Sequence, residues 1–512
     1  MQTLIRVPKF CFALGMLSLV AAVGCGTNNG SPTLIHTTGN FSNATLNGSY
    51  VFQIHGMALP NGVNFVPYRE VGIFTADGNG HITAGTDDSS FSASGTAIAG
   101  NYNVAADGTG SITFNTSSLG IPLNFAITVA GSSQIQLIEN DNALNGSAAT
   151  LNAGGTAVLQ SSASTGTTPS GTFVFRLHQE QSSQNSAEEA SQVGAFSISG
   201  GTGTGAMDQN LNGTLSSPGL TVAFNAPVSP GRGTATLTDT TANFTTDVVY
   251  YIVNGGQLAL LVSSGGAVGS GNAEAQSGVS SGTGLSGSYA FGSRGDDLAT
   301  GIDGVATVGQ FTASAGTFSG VEDIMQDGNY TPNTSSPSTC FTAGSAGGVN
   351  GRVIATNGSG PPCSGSTTQV FWMVSPNRAF FLDNTGTTFQ DGTADLQTVA
   401  SFTASTFKGQ FALTMDGVDL VDGQLLSRVG ALQFDGTRKA SLAEDANGSL
   451  SGVIQQGLSG SYSVGVNGRM VGNLSGSNGP LDVVMYAVSG SQAYILQQDG
   501  GFVTSGTVIL QQ

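Results

Sequence analysis

Four times along this chain the same landmarks recur in the same order, and no other feature limits its possible folds so much. Each unit opens on Gly-x-aromatic or a close variant: Gly48-Ser49-Tyr50, Gly171-Thr172-Phe173, Gly287-Ser288-Tyr289 and Gly409-Gln410-Phe411. A Val-Gly pair follows at Val71-Gly72, Val193-Gly194, Val308-Gly309 and Val429-Gly430. Every unit then closes on a segment ending in glutamine, at Gln160, Gln276, Gln397 and Gln511. The opening glycines are 123, 116 and 122 residues apart. Such a period marks a tandem array of domain-sized units, each long enough to bury its own core.

Within a unit the pattern is that of strands. Ile121, Leu123, Phe125, Ile127 and Val129 alternate with Pro122, Asn124, Ala126 and Thr128, and a period of two places alternate side chains on opposite faces of a strand. Turns are marked by Asp77-Gly78-Asn79-Gly80 and Asp107-Gly108-Thr109-Gly110, where glycine accepts the positive φ of a hairpin. Apolar runs between turns predict eight strands in the first unit, near Tyr50, Phe74, Ile82, Tyr102, Ile112, Phe125, Leu137 and Val158. No segment carries a helical stripe. A meander of eight short strands protects its edges by closing on itself. The expected fold is therefore all-β: four tandem antiparallel modules, each a small up-and-down barrel, with a two-sheet sandwich as the alternative. These modules resemble the calycin barrels of lipocalins and avidins, which also carry an early Gly-x-aromatic strand, although the tryptophan usual there is missing.

Composition narrows the function. Charged residues make up 9% of the chain and the formal net charge is −18, with 13 scattered basic residues. No basic face exists to track a phosphate backbone, so nucleic acid is not an expected partner. Hydrophobic content of 39% is too high for a disordered chain of this kind.

Arg6 and Lys9 precede an apolar run from Phe10 to Val23, which has the length of a signal-peptide core and not of a bilayer span. It ends Ala22-Val23-Gly24-Cys25. That ending resembles a bacterial lipobox, with Ala22 where the family usually has leucine. The resemblance implies cleavage before Cys25, lipidation of Cys25, and anchoring to the outer membrane on its periplasmic or cell-surface face. The Ser/Thr/Asn/Gly-rich stretch that follows reads as a tether with an r.m.s. reach of about 24 Å. The expected organisation is 1–24 signal peptide, 25–44 lipidated cysteine and tether, and modules at 45–160, 170–276, 285–397 and 407–512. The mature chain as a whole resembles the repeat-bearing, mostly uncharacterised lipoproteins of bacterial envelopes.

Candidate site residues are few. Aligned on the turn that follows, the sixth strand places Ile127, Tyr251, Trp372 and Tyr486 at one position, and barrel geometry would turn them inward as ligand-binding residues. In units two to four the intervening residues are apolar too, so the second face of this strand packs on a neighbouring unit or lies under loops. Cys340 and Cys363 form the even remainder once Cys11 and Cys25 are set aside, which in an exported protein predicts a disulfide worth about 3 kcal/mol. The acidic pairs Asp87-Asp88, Glu322-Asp323 and Glu444-Asp445 read as solvated loops rather than as metal sites. Gly278-Val279-Ser280-Ser281-Gly282 matches a hydrolase pattern but sits in a low-complexity join without the strand and helix that a nucleophile elbow needs. No catalytic residue, metal or cofactor is expected. The chain is read as a non-enzymatic binding or adhesion array, with a structural spacer as the alternative and an enzyme a distant third. Candidate partners are the membrane and a small apolar ligand, a glycan or a protein at the cell surface.

Overall fold

The computed structural model describes residues 39–512 apart from 60–65, 141–149, 162–164, 182–189, 212, 229, 265–266, 298–302, 336–338, 358–366, 384–387 and 449–451. The first module contains β1 (Asn47–Leu59), β2 (Val66–Asp77), β3 (His81–Ser89), β4 (Ser92–Ala97), β5 (Gly100–Val104), β6 (Thr109–Phe114), β7 (Leu123–Gly131), β8 (Gln134–Glu139) and β9 (Thr150–Leu159). All pairings are antiparallel, and β1 pairs with both β2 and β9, which closes the sheet into a barrel. Modules two and three repeat this order and the fourth is likewise a closed barrel. The sandwich alternative is thereby excluded.

One strand was not legible in the sequence. In the first three barrels the fourth strand of the meander is broken in two, β4 and β5 in barrel 1, while barrel 4 has the single strand Gly452–Val464. The short Ser92–Ala97 piece is rich in serine, alanine and glycine and has no apolar alternation to announce it.

The landmarks have structural causes. All four opening glycines adopt positive φ, between 107° and 135°, where a side chain would clash with its own backbone. In barrels 1 and 3 the glycine of the Val-Gly pair makes room for an aromatic ring, and in barrels 2 and 4 for the backbone carbonyl of the neighbouring strand. A Cβ on Gly72 would lie 2.5 Å from Phe52 Cε1, and one on Gly309 would lie 2.4 Å from Phe291 Cζ.

The barrels form a closed ring. Call the outer surface of the first three strands the front of a barrel, and that of the last three its back. The front of barrel 1 packs on the back of barrel 2 through Val51, Val71 and Ile73 against Val249, Tyr251 and Leu261. Barrel 2 meets barrel 3 in the same way through Val174 and Val193 against Val370 and Trp372, and barrel 3 meets barrel 4 through Ala290 and Val308 against Val484 and Tyr486. The front of barrel 4 then meets the back of barrel 1, where Val429 packs on Ala126 and Ile138. The same head-to-tail contact is thus repeated at all four junctions and closes on itself.

The closing glutamines hold the ring at every step. Gln160 Nε2 donates to Pro230 O and Ile252 O of the next barrel, both at 2.7 Å. Gln276 donates to Asn350 O and Met373 O, and Gln397 to Asn467 O and Ala487 O. Gln511 reaches across the closure to Val129 O at 2.7 Å and Asp107 O at 3.2 Å. The next backbone N–H continues the pattern: Ser161 to Val253 O, Ser277 to Val374 O, Thr398 to Val488 O and Gln512 to Ala130 O, at 2.8–3.0 Å.

Candidate functional site

Alternation along each strand decides which side chains enter a barrel. In barrel 1 the inward set includes Tyr50, Phe52, Phe74, Phe114 and Phe125, with neighbouring ring centroids 5.4–6.1 Å apart. Barrel 2 packs Phe175, Phe196, Phe224 and Tyr250 in tilted contact, barrel 3 Phe291, Phe311, Phe371 and Phe381, and barrel 4 Phe411, Phe434 and Tyr462 edge to face. These rings fill the space that a calycin barrel would offer to a ligand.

Toward the other end the inward positions turn polar, and each barrel satisfies them differently. Barrel 1 buries Tyr68, Glu70 and Asp87, with Tyr68 OH donating to Glu70 Oε2 at 2.6 Å. Burial, reinforced by Asp87, holds the Glu70 carboxyl well above the usual range. In barrel 2 a glutamine relay runs from Gln179 through Gln192 and Gln209 to Asp239, with steps of 3.0, 3.2 and 3.2 Å. Ser293 and Thr307 both donate to Gln390 in barrel 3, and burial near Asp383 and Asp323 pushes Glu322 up to about 7. Barrel 4 pairs Arg428 with Glu444 at 2.7 Å. Four unlike polar sets at corresponding positions do not make four copies of one catalytic constellation.

Of the four residues expected inside the barrels, Ile127 is there, fully buried in the core of barrel 1. Tyr251, Trp372 and Tyr486 are not. They face outward and are buried against the preceding barrel. Counting back from the strand that follows shows the reason: Gln134, Gln257, Arg378 and Gln492 begin that strand in the four barrels. Six residues before each stand Thr128, Tyr251, Trp372 and Tyr486, so the counterpart in barrel 1 is Thr128, and Ile127 matches Tyr250. The apolar run of barrel 1 had shifted the alignment by one residue, which in a strand exchanges the two faces. The apolar second face of this strand packs on the adjacent barrel.

The acidic pairs are also not solvated loops. They lie on strands, where alternation sends the first residue into the barrel and the second into the junction. Asp88 is fully buried and accepts from Arg232 Nε at 2.7 Å, Arg232 Nη2 at 2.8 Å and Tyr251 OH at 2.5 Å. Asp208 accepts from both arms of Arg352 and from Trp372 Nε1 at 2.8 Å. Asp323 completes the series, with Arg469 at 2.6 and 2.7 Å and Tyr486 OH at 2.6 Å. Burial raises the Asp323 pKa, but the hydrogen bonds from Arg469, Tyr330 and Tyr486 outweigh it and leave the group below its ordinary value. Each clamp thus joins an aspartate of one barrel to an arginine and an aromatic donor of the next. The indole N–H of Trp372 is satisfied by Asp208, not by a ligand.

The histidines and arginines at the centre of the ring are paired as well. His55 of barrel 1 lies 2.9 Å from Asp416 of barrel 4 and 3.1 Å from Arg294 of barrel 3. His178 of barrel 2 lies 2.8 Å from Asp391 of barrel 3. Cys340 is buried on the strand Thr339–Ala346, while Cys25 and Cys363 lie outside the described residues, so the lipidation site and the disulfide remain expectations. Ser280 hydrogen-bonds Thr283 in an exposed turn of the join between barrels 2 and 3. Among the described residues, no three histidine, cysteine, aspartate or glutamate side chains group as metal ligands would.

No protein-family model matches this chain, and no curated protein matches it. Among solved structures, a similar chain is that described as intact Ap-TbpB with its N and C lobes. It shares 10% identity over 74% of this chain and 84% of its own length, at a TM-score of 0.17. A likeness of that size carries no argument about how this chain works.

Proposed function

We propose that this protein is a lipid-anchored component of the bacterial cell envelope whose four barrels act together as one platform. Its work is mechanical and presentational: the closed ring holds outer surfaces and loop ends in set relative positions, where a protein or glycan partner can engage them. The observation that carries this reading is the filling of the barrel interiors. Aromatic clusters occupy the space a small apolar ligand would need, and the clamps and glutamine contacts commit side chains to holding one barrel against the next. Anchoring rests on the lipobox at Cys25, and a disulfide between Cys340 and Cys363 would fit an exported protein.

Native mass spectrometry of the purified protein, alone and with a panel of fatty acids, phospholipids and aromatic compounds, tests the central point. The expected result is the mass of the mature chain with its covalent lipid at Cys25, with neither a co-purified molecule nor a saturable adduct. A stoichiometric apolar ligand would overturn the platform reading and restore small-ligand binding inside a barrel. In cells, Cys25→Ser is expected to lose labelled fatty acid and leave the membrane fraction.

A further inference from the structure

The four junctions of the ring are not equal. Three carry an Asp–Arg–aromatic clamp, and the fourth, where barrel 4 meets barrel 1, does not. Asp445 occupies the acidic position there, paired in its sheet with Val429 as Asp88 is with Val71. Barrel 1 offers Thr109 where the other barrels have Arg232, Arg352 and Arg469, and Thr128 where they have Tyr251, Trp372 and Tyr486. Asp445 forms no salt bridge among the described residues, and its carboxyl is pushed above the ordinary value by burial.

Two further differences point the same way. Gln136 stands where the other barrels have Ala259, Phe380 and Tyr494. It is fully buried, yet among the described residues neither its amide nitrogen nor its amide oxygen has a hydrogen-bond partner, and the Thr128 hydroxyl is in the same condition. The apolar cluster here is Ala126, Ile138 and Val429, whereas the junction of barrels 2 and 3 buries Val174, Val193, Val370, Trp372, Phe380 and Leu382. What holds the closure is polar: Asn152 with Ser427 and Asn447, Asn447 with Glu139, the Gln410 and Gln511 contacts to Asp107, and the half-exposed His55 with Asp416, whose carboxylate keeps Arg294 of barrel 3 as a partner when the two part. Water replaces such bonds when they part, whereas a bared apolar face or a split buried ion pair finds no equal substitute. No peptide link crosses this junction, so its parting needs only a small flex spread over the other three and the loss of the His55 contacts to Asp416 and Arg294 at the centre of the ring.

We propose that the ring is a split ring that opens at the junction of barrel 4 with barrel 1, while the other three junctions keep their clamps and apolar contacts and flex only enough to admit the gap. Opening exposes the back of barrel 1 and the front of barrel 4 and leaves each barrel intact.

The repeat supplies its own controls. Ile138, Leu261, Leu382 and Leu496 hold one equivalent position, all fully buried in their junctions. Each is replaced by cysteine in the full chain, one at a time, and the rate of reaction with a maleimide is measured under native conditions against the unsubstituted protein. The thiol of Ile138→Cys is expected to react at least roughly tenfold faster than the other three, the factor that one lost clamp hydrogen bond to a charged group would give. Adding Gln511→Ala should speed that thiol alone, and adding Thr109→Arg with Thr128→Tyr, which supplies the missing partners of Asp445, should slow it. Four equal rates, or a faster thiol at another junction, would overturn the proposal. Should Ile138→Cys fail to fold, Val429→Cys against Val308→Cys asks the same question from the facing surface.

Discussion

Asp323 shows how much of this molecule rests on single side chains. It is fully buried and takes four hydrogen bonds from Arg469, Tyr486 and Tyr330. Removing one partner of such a pair strands the other charge, so Asp323→Ala is expected to cost about 3–5 kcal/mol. Replacing both partners with apolar residues, Asp323→Leu with Arg469→Met, should cost much less. Urea denaturation of the two variants and the parent decides it, and equal losses would mean that the clamp is not a coupled unit. Its sequence neighbour Glu322 points the other way, into barrel 3, and behaves oppositely. Its folded pKa of about 7 lies above the ordinary glutamate value of about 4.3. Between these pH values the unfolded chain releases the proton and the folded chain keeps it, so this residue's contribution to stability falls as pH rises through that window. Glu322→Gln should therefore match the parent near pH 4 and exceed it in denaturation midpoint at pH 8. A gap that stays constant with pH would contradict the assignment. Neither role was legible in the pair Glu322-Asp323, because each depends on groups brought near by folding. Arg469 is 146 residues away along the chain.

At the level of strands the sequence was more informative, because strand chemistry is local. The alternation at Ile121 to Val129 marks a half-buried strand wherever it occurs, and the Gly-rich turns stand where hairpins need positive φ. What local pattern does not carry is which of two apolar faces points inward. The sixth strand of barrels 2 to 4 is apolar on both sides, and Tyr250-Tyr251 shows why the aromatic type alone does not resolve it. Tyr250 belongs to the barrel core and Tyr251 to the junction. The neighbouring turn resolves it through the count to Gln257, and barrel 1 misled because Thr128 removes the aromatic that would have anchored the count. The closing glutamines were visible as a repeated feature without a reason. Their reason is a pair of carbonyl groups on the next barrel, which no single unit contains.

For the whole molecule, the tandem order dictates four barrels but leaves their arrangement open, since beads on a string and a ring have the same repeat. The ring follows from reusing one front-to-back contact four times, the last time without a connecting peptide. Gln511 and Gln512 make there the bonds that Gln160 and Ser161 make between barrels joined by the chain. The distance across that closure is the most direct test. Spin labels at Ala106 of barrel 1 and Lys408 of barrel 4, both exposed and adjoining the Gln410–Asp107 contact, lie some 300 residues apart in the chain. Pulsed dipolar spectroscopy on the protein at rest should return one short, narrow distance, matched by labels at the equivalent positions Ser286 and Val466 of barrels 3 and 4. A long, broad distribution for Ala106 and Lys408, with a short one kept for Ser286 and Val466, would show a string of barrels and contradict the ring.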